Sequence, residues 1–194
     1  MIVAITGGIG AGKSTVSRML SVMGYPVYDC DSRAKVLVDG SPDIITEIGE
    51  KVCREALCEG GRLDRKVLAR KVFGDADALA RLNGIVHRHV RDDFASWAAR
   101  QGSDVVFVET AILYQSRMHH MVDCVWDVVA PDEVRISRVI LRNGTTRSEV
   151  ESRISAQNSF QPDEPHQNVR IIINDGVHAV LPQLLKVLAS THIA

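Results

Sequence analysis

Five short runs of apolar, mostly β-branched residues lie at 2–6, 25–28, 105–108, 125–129 and 169–173, separated by stretches in which apolar residues return every three or four positions. Runs that stay apolar without alternation predict strands covered on both faces. The intervening spacing predicts helices, so the chain reads as an α/β fold with a five-stranded parallel sheet between helical layers. The rhythm breaks between residues 44 and 99. There the spacing of Leu79, Leu82, Val86, Val90, Phe94 and Trp97 is helical and no strand is expected. Asp39-Gly40-Ser41-Pro42, Gly60-Gly61 and Gly74-Asp75 punctuate that stretch. The pattern therefore predicts an all-helical insertion over 41–102, set into a core made of 1–40, 103–131 and 165–194. Doubly wound sheets bind ligands at the carboxyl edge of their strands, beside which such an insertion sits, so it is expected to hold a second substrate. The tail after Ala189 is expected to fray.

Directly after the first run stands Gly7-Gly8-Ile9-Gly10-Ala11-Gly12-Lys13-Ser14-Thr15, a full G-x-x-x-x-G-K-[ST] phosphate loop. Glycines allow the tight turn that converges consecutive backbone N–H groups on a β-phosphate. Lys13 reaches the β and γ oxygens, and the Ser14 hydroxyl is a ligand for Mg²⁺. Val16, Met19, Leu20 and Met23 recur at helical spacing after it, so the loop also has the positive end of a helix dipole. Strand, glycine turn and helix occur in the order that a nucleotide site requires.

After Pro131 the pattern predicts a helix with Arg135, Arg138 and Arg142 on one face, ended by Asn143-Gly144. Thr146-Arg147-Ser148-Glu149 has capping-box spacing and opens a second helix bearing Arg153 and Gln157. Two readings are open for this segment, 132–164: a solvated charged face, or a lid whose arginines meet a phosphoryl group in transfer.

Lys and Arg total 23 against 24 Asp and Glu, a net charge of −1, so no basic field recruits nucleic acid or a membrane surface. Cys30, Cys53, Cys58 and Cys124 form no C-x-x-C pair and lack matching histidine spacing, which argues against a zinc or redox motif. No run has signal-core or membrane-spanning length, so the expected setting is cytoplasmic, as a monomer or small homo-oligomer.

A phosphate loop alone does not separate a kinase from a GTPase switch or a motor. No N-K-x-D motif follows a strand; Ile173-Asn174-Asp175-Gly176 lacks the lysine. The second run ends in Tyr28-Asp29-Cys30-Asp31, placing two carboxylates at a strand end. Asp31 reads either as the acceptor of a hydroxyl proton or as a helix N-cap, a role Ser32 also fits. Asp29 reads as a positioning group or a water-mediated Mg²⁺ contact.

Thr6 to Thr15 as T-G-G-I-G-A-G-K-S-T, Asp29 to Asp31 as D-C-D, Leu82 to His87 as L-N-x-x-x-H and Arg153 to Gln157 as R-I-S-A-Q together resemble the dephospho-CoA kinase family along nearly the whole chain. The resemblance implies a P-loop kinase fold like that of nucleoside monophosphate kinases, with a helical insertion domain and a lid. It implies transfer of the ATP γ-phosphoryl group to the ribose 3′-hydroxyl of dephospho-CoA. By position it implies Asp31 as base, residues 10–15 as the ATP loop, and Arg138 and Arg142 as lid arginines. Where the family often has D-A-D-x-x-A-R, this chain has Lys35 in place of the arginine, with Arg33 available to compensate. Arg88 replaces a proline after His87, which predicts a longer helix. Glu109 ends the third strand in place of an acid further on, either near Mg²⁺ as a water-mediated contact or as a loop cap. His87 reads as a packing residue or as a contact to the acceptor. Trp97 and Trp126 read as core packing, with stacking on a base as the alternative. The rivals are another small-molecule or nucleoside monophosphate kinase of this fold, and a regulatory ATP-binding module.

Overall fold

A computed structural model describes residues 1–160 and 162–191. Along the chain, β1 (Ile2–Thr6) leads through the phosphate loop into α1 (Lys13–Val22), then β2 (Val27–Asp29), α2 (Cys30–Gly40) and α3 (Pro42–Lys51). A small hairpin, β3 (Leu57–Cys58) and β4 (Arg62–Leu63), precedes α4 (Arg65–Phe73) and α5 (Ala76–Ala98). The chain returns through β5 (Val106–Glu109), β6 (Cys124–Val129), α6 (Asp132–Asn143), α7 (Arg147–Asn158), β7 (Val169–Ile173) and α8 (Val180–Thr191). It divides into two compact units, Met1–Tyr28 with Gly102–Ala194, and Asp29–Gln101.

The first unit is built on a five-stranded parallel sheet of order β2-β5-β1-β6-β7. The three inner residues of β1 are fully buried, as expected for a central strand covered by helices on both sides. Val3, Ile5, Leu20, Phe107, Ile172 and Leu184 pack around Trp126, which has no exposed surface and lies 5.0 Å from Phe107 ring to ring. β2 shifts furthest from its expected place, starting two residues late, while β5 and β6 lie within one residue of theirs. Pro26 has no N–H to give the ladder and contributes its carbonyl alone, to Phe107 N–H at 2.9 Å. α8 continues two residues past Ala189; residues 192–194, where fraying was also expected, lie outside the described residues.

α6 ends at Gly144, in the left-handed region at φ 65°, and α7 opens with the full capping box of Thr146 and Glu149. Hydroxyl donation from Thr145, together with the Thr146 backbone and hydroxyl, holds the Glu149 carboxyl down at about 2. Ile136, Val139, Val150 and Ile154 close the two helices on each other, and Ile9 of the phosphate loop packs against this cluster.

The second unit is helical except for the hairpin. Gly60 and Gly61 both adopt positive φ between strands of two residues each, too short to leave any periodicity in the sequence. The expectation of no strand between 44 and 99 is corrected to that extent. Ile44, Ile48, Val52, Ala56, Leu68, Ala78 and Ile85 form this unit's own core. α5 runs unbroken for 23 residues through His87 and Arg88, as the missing proline predicts. Arg88, His89 and Lys51 converge on Glu47, whose carboxyl is held at about 2, chiefly by Lys51. α2 belongs to this unit because Arg33 forks onto Asp93 of α5, at 3.0 Å from Nε and 2.8 Å from Nη2. Packing thus opens the helical unit at Asp29, where the sequence pattern places the boundary at 41.

Candidate active site

The phosphate loop leaves β1 at Thr6 and enters α1 at Lys13. Gly12 lies at φ 102°, and a Cβ there would come within 2.0 Å of Asn174 Nδ2. A Cβ on Gly8 would lie 2.1 Å from Arg135 Nη2. The loop therefore needs glycine both for its turn and for close approach by its neighbours. Lys13 Nζ donates to the Gly7 carbonyl at 2.9 Å and the Gly8 carbonyl at 3.3 Å, which folds the half-buried side chain back over the loop. Ser14 is exposed on the first turn of α1, where N–H groups have no intrahelical acceptor and the helix dipole is positive.

Two arginines of α6 grip the loop through its backbone carbonyls. Arg135, 7% exposed, donates from Nε to the Ile9 carbonyl at 2.9 Å, pairs with Asp132 through Nη1, and reaches Gln157 Oε1 through Nη2 at 3.4 Å. Gln157 Oε1 also accepts the Ile9 N–H at 2.8 Å, so both polar groups of Ile9 are held by side chains from the α6–α7 pair. Arg138 donates to the Asn174 carbonyl at 2.9 Å and lies 3.5 Å from the Gly10 and Ala11 carbonyls, while Asn174 Nδ2 donates to Ala11 O at 2.8 Å. Arg142 stays exposed, its Nε on Asn143 Oδ1.

A cleft of about 360 Å³ opens beside the loop, walled by Gly7, Ala11, Asp127, Arg135, Gln157 and Phe160 among others. Asp127 pairs in register with Thr6 across β1 and β6. Burial pushes its carboxyl above the usual aspartate range, and the charges of Lys13 and Arg135 oppose that rise. Glu109 ends β5 opposite Ile5, half-buried.

In the helical unit, Asp29 is the N-cap of α2. Its Oδ1 accepts the N–H of Asp31 at 3.0 Å and of Ser32 at 3.2 Å, and its Oδ2 accepts the Ser32 hydroxyl at 2.5 Å. The capping role considered for Asp31 or Ser32 thus falls to Asp29, and Asp31 stands exposed on the first turn. Lys35 is exposed, whereas Arg33 is engaged by Asp93. His87 is half-buried, and burial with the nearby Arg91 lowers its pKa, favouring the neutral ring.

The CoaE dephospho-CoA kinase family model matches residues 1–179. A dephospho-CoA kinase of Porphyromonas gingivalis is 37% identical over 186 residues, covering 96% of this chain and 92% of its own. The chain belongs to the dephospho-CoA kinase family. The crystal structure of TT1252 from Thermus thermophilus, 33% identical, superposes with a TM-score of 0.76 over 100% of this chain and 96% of that one. Dephospho-CoA kinase from Campylobacter jejuni, at 20% identity and a TM-score of 0.67, covers 98% of this chain and 96% of its own and shares the fold. The fold is that of the P-loop kinases.

In this dephospho-CoA kinase family member the sequence reading names Arg135 among the lid arginines and Gln157 within the R-I-S-A-Q motif, but not their hold on the phosphate loop. It assigns Asn174 and Asp127 no role in the site, although each left a trace. Asn174 follows a strand, and Asp127 is a lone acid in an apolar run. Asp127→Asn tests the last of these. A carboxyl raised by burial costs the fold stability as pH climbs through the aspartate range and past its folded pKa, and an amide of the same shape carries no such cost. The variant is expected to melt above the wild type at neutral pH and level with it in acid; a pH-independent offset would remove burial of charge as the cause.

Proposed function

We propose that this chain transfers the γ-phosphoryl group of ATP to the ribose 3′-hydroxyl of dephospho-CoA, giving CoA and ADP. The observation that carries the reading is a complete phosphate loop, held on β1 and α1, within a family match that runs through residues 1–179. In this reading the N–H groups from Gly10 to Thr15 receive the β-phosphate, with Gly10, Ala11, Gly12 and Thr15 shaping the cradle. Lys13 leaves the Gly7 and Gly8 carbonyls to meet the β and γ oxygens. Arg138 adds charge behind the loop, and Arg142, exposed on the last turn of α6, approaches from the lid 132–164.

Asp31 takes the proton of the acceptor hydroxyl, and the exposed Asp31 and Lys35, with Arg33 and His87, form the substrate side in the helical unit. An exposed Ser14 hydroxyl beside Lys13, with the Glu109 carboxylate at the end of the neighbouring strand, is an oxygen set suited to Mg²⁺. Such an ion neutralises charge on the phosphates. Both Asp29 oxygens already serve the α2 cap, so Asp29 acts by orienting the start of α2.

An ADP-release assay across dephospho-CoA, pantothenate, several nucleoside monophosphates and shikimate tests the reading. Turnover is expected with dephospho-CoA far above the others. Faster turnover with another acceptor, or slow hydrolysis indifferent to all of them, would assign the site to a different kinase or to a regulatory module.

A further inference from the structure

Away from the phosphate loop, the 3₁₀ turn Met118–Met121 carries two adjacent histidines. The His119 and His120 rings lie 3.9 Å apart between centroids, and Tyr114 is 5.1 Å from His119 on the other side. One ligand atom each from His119, His120 and Glu164 lies within 4.8 Å of the others. Glu164 comes from the return segment between α7 and β7, so the three donors join two stretches of chain that are distant in sequence.

We propose that His119, His120 and Glu164 form a binding site for a divalent transition-metal ion of the zinc type, which fastens the segment after α7 to the turn before β6. Two imidazole nitrogens and one carboxylate oxygen form the borderline donor set that such ions prefer and that Mg²⁺ does not. Metal–ligand bonds of about 2.0–2.2 Å in tetrahedral geometry put donor atoms about 3.4 Å apart. Binding therefore requires the donors to close by side-chain rotation, and two of the three, His120 and Glu164, are exposed.

Further observations agree with a prepared site. Arg117, immediately before the turn, holds φ 59°, the one non-glycine residue with positive φ among those described. The Nδ1 atom of His119 is buried and has no hydrogen-bond partner among the described residues, so the ring has one nitrogen uncommitted. His166, nearby, is already committed through Nε2 to the Val122 carbonyl and through Nδ1 to the Asn168 N–H, which leaves the role to the other two histidines. Asp163 lines the same cleft of about 240 Å³ and adds negative charge. Tyr114, Phe160 and Pro162 wall both this cleft and the one beside the phosphate loop, so a bound ion would stiffen a wall the two share.

The test uses the full chain, stripped of metal, reduced, and kept in excess Mg²⁺. Calorimetric titration with Zn²⁺ is expected to show one equivalent bound, with a rise in melting temperature. Co²⁺ in its place should give visible d–d absorption without the near-ultraviolet band of a thiolate ligand. His120→Ala and Glu164→Gln, both at exposed positions, are expected to weaken Zn²⁺ binding by more than about tenfold, as loss of a direct ligand exceeds loss of an outer partner. Cys58→Ser should leave binding unchanged. No uptake by the wild type, equal affinity in either ligand variant, or loss of binding in Cys58→Ser would overturn the assignment.

Discussion

Lys13→Ala is expected to reduce turnover by roughly 10²- to 10³-fold, the range for losing one preorganised positive donor from a transition state. The protein should still fold, though with a lowered melting temperature. Lys13 Nζ bridges the Gly7 and Gly8 carbonyls, and the alanine variant deprives both of that donor. Each such hydrogen bond contributes about 1 kcal/mol net. Asp127 also loses the first of the two charges that oppose the rise in its pKa, so its carboxyl should move further up. The measurements are kcat with saturating acceptor, a thermal melt, and equilibrium ATP binding. Since Lys13 meets the phosphates in both the ground state and the transition state, affinity should weaken as well, but less than turnover. A variant that folds and turns over at the wild-type rate would remove the loop from the chemistry.

The core was legible because its signal is local. Five apolar runs gave five strands within a residue or two, and the glycine turn lies between β1 and α1 as its spacing requires. The capping box of Thr146 and Glu149 and the stop at Gly144 were legible for the same reason. What holds the loop in place was not. Arg135 meets Ile9 across 126 residues, Gln157 meets it across 148, and Asn174 meets Ala11 across 163. No periodicity carries a contact of that separation. Arginine spacing on α6 was visible, yet spacing could not separate arginines that grip carbonyls, as Arg135 and Arg138 do, from one left in solvent, as Arg142 is. The β3–β4 hairpin failed for the opposite reason, being local but only two residues long on each side. The start of the helical unit was displaced by a pair, Arg33 with Asp93, that forms only once α2 and α5 have packed.

Asp31→Asn separates catalysis from binding. With Asp31 as the base, kcat is expected to fall by roughly 10²- to 10⁴-fold, the usual contribution of a positioned proton acceptor, while ATP affinity stays near the wild-type value. Folding should be unaffected, because Asp31 is exposed and the α2 cap is made by Asp29. Asp29→Asn provides the control. An asparagine oxygen can still accept the Asp31 and Ser32 N–H groups, so that variant should keep the helix start and lose only a modest part of its rate. If Asp29→Asn proved the more damaging of the two, the catalytic carboxylate would be Asp29. If neither variant slowed turnover, the reaction would draw little from a carboxylate base. Such an outcome is chemically admissible in phosphoryl transfer through a loose transition state, where the attacking hydroxyl loses its proton late and positioning by Lys13 and the arginines provides most of the acceleration.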